Sequence, residues 1–173
     1  MLEFDFKRIL IIGCPGSGKS FFARKLRDIL CLPLFYLDMI WHKPDKTNIS
    51  REEFDLKLDE ILNKDEWIID GNYNRTLGKR FEKCDCVIWF DIPTEICIKS
   101  ALERVGIERE DMPWNDSIDD DFLDYIRSFK SEQCPAIEKL LCEFSDIKVI
   151  KFHSREESER FLLDLGEKNN NDK

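Results

Sequence analysis

Short runs of apolar residues alternate with longer amphipathic segments along the whole chain. The runs are short and continuous, which is typical of buried parallel strands. The segments between them carry apolar residues three or four positions apart, which predicts helices that each bury one face. The strands are expected over residues 8–12, 33–37, 67–70, 86–90 and 147–150.

Strands that alternate with helices form a parallel sheet through right-handed crossovers. The pairs Ser50 with Glu53 and Ser154 with Glu157 each form a capping box, which marks a helix start. Another helix is expected to bury a stripe formed by Ile98, Ala101, Leu102 and Val105. The pattern therefore predicts an α/β three-layer sandwich around a five-stranded parallel sheet.

The apolar periodicity stops between residues 106 and 117, where charged residues dominate. Such a segment is expected to be a short mobile lid outside the core. The tail over residues 167–173 is polar and rich in Asn, and it is expected to be disordered. Residues 1–166 would then form a single domain.

Composition excludes several classes of protein. With 173 residues and 42% hydrophobic composition, the chain is long enough for one domain with its own core. The formal net charge of −9 repels phosphate backbones, so we expect no direct nucleic-acid binding. No apolar stretch approaches the ~20 residues of a membrane helix, and the acidic N-terminal residues do not resemble a secretory signal. A cytoplasmic protein is expected, and the oligomeric state stays open.

A complete Walker A motif, Gly-x-x-x-x-Gly-Lys-Ser, follows the first predicted strand and precedes the first predicted helix. In this context backbone N–H groups and the helix N-terminus bind the phosphates of a nucleoside triphosphate, and Ser20 can ligate Mg²⁺. We therefore expect ATP and Mg²⁺ as ligands, with GTP left open as the nucleotide. The nucleotide-binding residues would be Gly13, Pro15, Gly16, Ser17, Gly18, Lys19 and Ser20.

Three predicted strands each deliver an aspartate to the carboxyl edge of the sheet, where ligands bind in such folds. Asp70 ends its strand as a Walker B acid does and would hold Mg²⁺, unless it only supports the turn at Gly71. Asp38 would orient or deprotonate an alcohol acceptor, or else cap the next element. Asp91 precedes a proline and is expected to cap a helix.

Arginines are the second requirement of phosphoryl transfer, because their planar forks match phosphate oxygens. Arg80, Arg104 and Arg109 are candidates for charge stabilisation through a closing lid, with solvated helix positions as the alternative. For Arg75 the two interpretations are balanced, and Arg127 is expected to lie on a surface or between helices.

Several other residues are weaker candidates for parts of a site. Trp41 could form the floor of an acceptor pocket or pack on the core, and His42 and His153 are expected to have no catalytic role. The seven scattered cysteines lack the spacing of a zinc site and indicate free thiols. Cys14 lies inside the phosphate loop, where alkylation could block nucleotide entry.

The Walker A loop, Leu37-Asp38, the stretch over residues 67–73, and Thr76-Leu77 with Arg80 together resemble the DNA topology modulation proteins. These are adenylate-kinase-related P-loop proteins of bacteria. The resemblance implies an adenylate-kinase-like fold in which lid arginines close over ATP. It also implies that Lys19 and Ser20 contact phosphate and magnesium, that Asp70 lies at the metal, and that Arg80 and Arg109 lie near phosphates.

These residues favour an ATP- and Mg²⁺-dependent phosphotransferase with a nucleotide or another small molecule as acceptor. The chain has no Asn-Lys-x-Asp motif, so a GTPase switch is not expected. The alternative is a nucleotide-binding regulator with little turnover that acts through a protein partner. The acidic lid sequence Ile107-Glu108-Arg109-Glu110 favours that alternative slightly.

Overall fold

The computed structural model describes residues 4–114 and 118–171. Five parallel strands form one sheet, as the sequence predicts, and their order is β2-β3-β1-β4-β5. Each predicted apolar run contains one strand, within one or two residues at either end. The strands are β1 (Arg8–Gly13), β2 (Leu34–Tyr36), β3 (Trp67–Asp70), β4 (Cys86–Phe90) and β5 (Lys148–Phe152).

Eight helices occur among the described residues, and most of them connect successive strands. From β1 the chain crosses two positions towards one edge of the sheet to form β2, and β3, β4 and β5 then follow one another towards the other edge. Because right-handed crossovers in these two directions lie on opposite faces, helices cover both faces of the sheet. The helices are α1 (Lys19–Leu30), α2 (Leu37–Trp41), α3 (Arg51–Leu62), α4 (Asn74–Phe81), α5 (Thr94–Glu103), α6 (Asp120–Glu132), α7 (Cys134–Glu143) and α8 (Arg155–Asn171).

The central strand β1 pairs with β3 and β4, and its residues Ile9 to Ile12 are completely buried. Helices α1 and α8 pack together through Phe22 and Phe161, whose ring centroids lie 6.1 Å apart. On the other side α4 contacts α7, and α6 contacts both α5 and α7. The sheet is thus enclosed, which explains why its strands are continuous apolar runs.

The register of the strands brings their carboxyl ends to one edge. Ile11 of β1 lies opposite Asp70 of β3, and Gly13 lies opposite Phe90 of β4. The loops that follow β1, β2, β3 and β4 therefore leave the sheet side by side. This edge is where a doubly wound sheet binds ligands.

Some local expectations were wrong. Of the predicted stripe, Leu102 in α5 and Val105 beyond its C-terminal end are exposed, whereas Ala101 is buried together with Cys97. Helix α8 continues to Asn171, so residues 167–171 are helical rather than disordered. The segment contains no proline, and Leu162 and Leu165 anchor the preceding turns in the core.

Of the expected lid, residues 115–117 lie outside the described part. No helix in the described ranges is long and apolar enough to cross a bilayer.

Candidate phosphotransfer site

The phosphate loop runs from the end of β1 to the start of α1, and its glycines have backbone conformations that other residues rarely adopt. Gly13, Gly16 and Gly18 have φ values of 152°, 81° and 98°. A Cβ on Gly13 would lie 2.7 Å from both the Cβ and the carbonyl oxygen of Phe90. A Cβ on Gly16 would overlap the backbone of Cys97. Only glycine therefore fits these three positions, and the resulting shape of the loop suits a chain of phosphates.

A serine hydroxyl inside the loop also points to a ligand. Ser17 is completely buried, and its Oγ has no hydrogen-bond partner in the described structure. A buried hydroxyl without a partner is costly unless a ligand satisfies it. A bound phosphate oxygen would do so.

Ser20 and Asp70, the two residues expected from the sequence to hold Mg²⁺, lie in contact with each other. The Ser20 hydroxyl donates to Oδ2 of Asp70 over 2.5 Å, and Oδ1 of Asp70 is buried without a partner. Burial raises the pKa of Asp70 to about 6, although Lys19 opposes this shift. A hydroxyl beside an unsatisfied carboxylate oxygen is a hard oxygen donor set, and it fits Mg²⁺.

Asp38 lies in the first turn of α2 rather than at the end of β2, because β2 stops at Tyr36. The hydroxyl of Tyr73 donates to Oδ1 of Asp38 over 2.7 Å. Burial, together with the Asp38 charge, raises the pKa of Tyr73 above its ordinary range, so the phenol remains a donor. This hydrogen bond fixes the orientation of the Asp38 carboxylate.

Arg80 does not reach the phosphate-binding region, which corrects the expectation from the sequence. Its side chain is completely buried and donates to the backbone carbonyls of Gly71, Asn72 and Tyr73. Burial lowers its pKa to about 9. Arg80 thus supports the loop after β3, in which Tyr73 has a φ of 40°.

Two arginines after α5 do lie at the site. Arg104 and Arg109 border the phosphate loop, and Arg109 forms a two-pronged ion pair with Asp111. Asp111 is buried, and its carboxylate lies 3.7 Å from Arg24. Burial alone would raise the pKa of Asp111, but the hydrogen bond and charge of Arg109 outweigh it and lower the pKa.

Two cavities meet at the phosphate loop. The larger cavity has a volume of about 610 Å³ and the smaller one about 340 Å³. The smaller cavity also borders Gly16, Gly18 and Arg155, and the larger one extends past Asp38 to α6. Five side chains line both cavities, and these are Lys19, Ser20, Arg104, Arg109 and Asp111.

Three other candidates, Arg75, Arg127 and Trp41, lie outside both cavities. Arg75 pairs with Asp55, and Arg127 pairs with Asp124, in each case on the surface. Trp41 packs against Phe54, with ring centroids 5.6 Å apart, so it is part of the core.

Asp91 does not cap α5, contrary to expectation. The cap position of α5 is Pro93, and no side chain bonds to its N-terminus. Asp91 instead contacts Lys130, Lys151 and His153. His42, in contrast, lines the larger cavity, where its ring lies 4.9 Å from that of Trp114.

Sequence reasoning gave no role to several residues that the fold brings to the site. Arg155, at the start of α8, donates to the carbonyl of Gly16 over 2.8 Å and to Ser100 Oγ over 2.5 Å. No motif marks it. Phe122 and Tyr125 of α6 also line the larger cavity.

Known proteins share this fold, although no protein-family model matches the chain. An adenylate kinase of Thermosipho melanesiensis is 26% identical over 100 residues, which are 56% of this chain and 45% of that protein. The chain thus matches less than half the length of this relative.

Two solved structures match over nearly their whole lengths. Shikimate kinase of Bacteroides thetaiotaomicron superposes with a TM-score of 0.58 at 16% identity, covering 94% of this chain and 97% of that one. Shikimate kinase of Acinetobacter baumannii in complex with shikimate gives 0.61 at 14% identity, covering 95% and 96%. At this identity the likeness shows the fold alone: the chain has a P-loop NTPase fold with an adenylate-kinase-like architecture.

Proposed function

We propose that the protein is an ATP- and Mg²⁺-dependent phosphotransferase that acts on a small molecule. The observation that carries this proposal is the meeting of the two cavities at Lys19, Arg104 and Arg109. A donor in the smaller cavity and an acceptor in the larger one would face each other across these cations, as in-line transfer requires. The adenylate kinase and shikimate kinase likenesses support the same class of reaction.

The chain's own residues would share the work. Lys19, with Arg104 and Arg109, would stabilise negative charge on the transferred group. Asp38 would accept the proton of an acceptor hydroxyl through Oδ2 while Tyr73 fixes its orientation. Mg·ATP supplies the phosphoryl group and a divalent charge, and Ser20 with Asp70 would hold the metal.

The test is ADP release from Mg·ATP with a panel of nucleoside monophosphates, nucleosides, polyols and small acids. Stimulation by one compound in the wild type, absent in Lys19→Ala, would support the proposal. Asp38→Asn should lower turnover on a hydroxyl acceptor by about 10²-fold or more and leave ATP affinity nearly unchanged. Full turnover in that variant would rule out a hydroxyl acceptor activated by Asp38.

The second candidate is a nucleotide-binding regulator, within or near the DNA topology modulation family that the motifs resemble. The pairing of Arg109 with Asp111 favours it, because a lid arginine held by a carboxylate is less available to phosphate. It predicts ATP binding with no acceptor that stimulates ADP release. The charge of −9 argues against direct binding to DNA.

A further inference from the structure

Charge on the wall of the larger cavity is divided between its two ends. The described Lys and Arg residues that line this cavity all lie where the smaller cavity meets it, and they are Lys19, Arg104 and Arg109. The part that only the larger cavity reaches carries carboxylates, from Asp38, Asp119 and Asp121. We call this part the acceptor end.

We propose that the acceptor is a hydroxyl compound that carries no anionic group and is either neutral or cationic. This inference rests on the proposed phosphotransferase function. A phosphate or carboxylate on the acceptor would need a basic partner, yet the described cations of the cavity are at the phosphate loop, where the transferred group needs them. At the acceptor end the same anion would face like charges, which is unfavourable.

Two groups beside these carboxylates have hydrogen-bond partners within the chain. His42 is the other titratable base on this wall, and its Nδ1 lies 2.7 Å from Oδ1 of Asn48 while its ring packs on Trp114. Asp119 accepts a hydrogen bond from the backbone N–H of Phe122, so its position is fixed by the start of α6.

The rest of the wall indicates what the body of the acceptor must be. Trp114, Phe122 and Tyr125 line the same cavity as these carboxylates and offer it aromatic surface. A ring with one apolar face and hydroxyl or amine groups on its edge satisfies both. Nucleosides and aminocyclitols share this chemistry, and the test distinguishes between them.

The test uses matched pairs that differ only in an acidic group. These are adenosine with AMP, cytidine with CMP, and shikimate methyl ester with shikimate, together with the cationic 2-deoxystreptamine. Phosphorylation from labelled ATP gives kcat/KM, and calorimetry with a non-hydrolysable ATP analogue gives Kd for each acceptor. We expect the neutral or cationic member to be preferred by at least about tenfold in both measurements.

A charge variant with a matched control links the preference to the wall. Asp121→Asn should reduce the discrimination against the anionic member by about threefold. Asp120→Asn removes the same charge in the same turn of α6, but Asp120 does not line the cavity, so the discrimination should not change. Equal effects of the two variants would count against the acceptor end as the cause.

The outcomes separate this inference from the proposed function. Better turnover of the anionic members would overturn the inference and leave the phosphotransferase in place. Selective binding of neutral or cationic members without any phosphorylation would support the acceptor class and refute the phosphotransferase. Failure of every probe to bind would overturn the inference.

Discussion

The side-chain amide of Asn72 forms two hydrogen bonds with the backbone of Gly13. Gly13 N–H donates to Oδ1 of Asn72 over 3.0 Å, and Nδ2 of Asn72 donates to the Gly13 carbonyl over 2.7 Å. One side chain after β3 therefore takes the place of a strand partner for the last residue of β1. The loop that carries Tyr73 is thereby joined to the start of the phosphate loop.

Asn72→Ala should destabilise the protein and weaken nucleotide binding together. The change leaves both polar groups of Gly13 without their partner, which costs about 1–3 kcal/mol in free energy of unfolding. Urea unfolding measures this loss, and ATP titration measures the affinity. Asn72→Asp keeps an acceptor for the Gly13 N–H but lacks the donor to the Gly13 carbonyl, so this variant should also be less stable than the wild type. Wild-type values in Asn72→Ala would contradict the bracing role.

Arg80→Met should destabilise the protein far more than it affects ATP binding. Three backbone carbonyls, of Gly71, Asn72 and Tyr73, lose their donors, and a cost of about 3 kcal/mol or more is expected. ATP affinity of the folded protein should stay within about threefold, because Arg80 lines neither cavity.

Lys79→Met is the matched control for that change. Lys79 is the preceding residue of α4 and pairs with Asp59 on the surface, so its loss should cost less than about 1 kcal/mol. A stable Arg80→Met variant that has lost ATP binding would instead place Arg80 at the phosphates, as its sequence position first indicated.

The structural role of Arg80 could not be predicted from the sequence. The five strands could be predicted because buried parallel strands are continuous apolar runs, and the Walker A loop because its spacing is specific. The role of an arginine depends on whether tertiary packing buries it, and no local pattern encodes that. Asn72 and Arg155 likewise act over 59 and 139 positions of sequence. The position of Asp70 at the carboxyl edge of the sheet could be predicted because the residue ends an apolar run that forms β3.

Asp70 should make the metal-free protein less stable as pH rises. Burial raises its folded-state pKa from 3.8 to about 6, so the folded state holds the proton more tightly than the unfolded state does. The stability due to that proton is present below about pH 4 and is lost as pH rises through about 6. The shift corresponds to about 3 kcal/mol.

Thermal unfolding of Asp70→Asn in the presence of EDTA tests this pH dependence of the stability. The variant should match the wild type near pH 4 and exceed its stability by about 2–3 kcal/mol at pH 7.5. Addition of Mg·ATP should then raise the Tm of the wild type more than that of the variant. A wild type that gains stability over the variant between pH 4 and 7 without metal would refute the buried, unsatisfied carboxylate.

Cys14 should be protected from alkylation, despite its place in the phosphate loop. Its thiol is buried, and the neighbouring Cys97 thiol and burial raise its pKa. Cys31 and Cys142 are exposed, whereas the other five cysteines are buried. A thiol reagent should therefore modify two groups rapidly in the native protein and seven in denaturant.

The double variant Cys31→Ser/Cys142→Ser is the control for that titration. It should show no rapid phase and should bind ATP as the wild type does. A rapid phase that persists in the double variant and is slowed by ATP would show that Cys14 is accessible from the nucleotide side.

Glu110→Gln should loosen the segment that carries Arg109 and Asp111. Oε1 of Glu110 accepts from Arg27 Nη1 over 2.6 Å and from the Tyr36 hydroxyl over 3.3 Å, which fixes this segment on α1 and β2. Because the pair is half-exposed, the global free energy of unfolding should fall by less than about 1 kcal/mol. Amide hydrogen exchange over residues 107–112 should accelerate by a factor of about two to five.

Glu108→Gln makes the same charge change two residues earlier at an exposed position, and its exchange rates should stay at the wild-type level. High salt should reduce the difference between the two variants, since it screens the Arg27 pair. Equal acceleration in both variants would mean that net charge, rather than the contact with Arg27 and Tyr36, holds the segment in place.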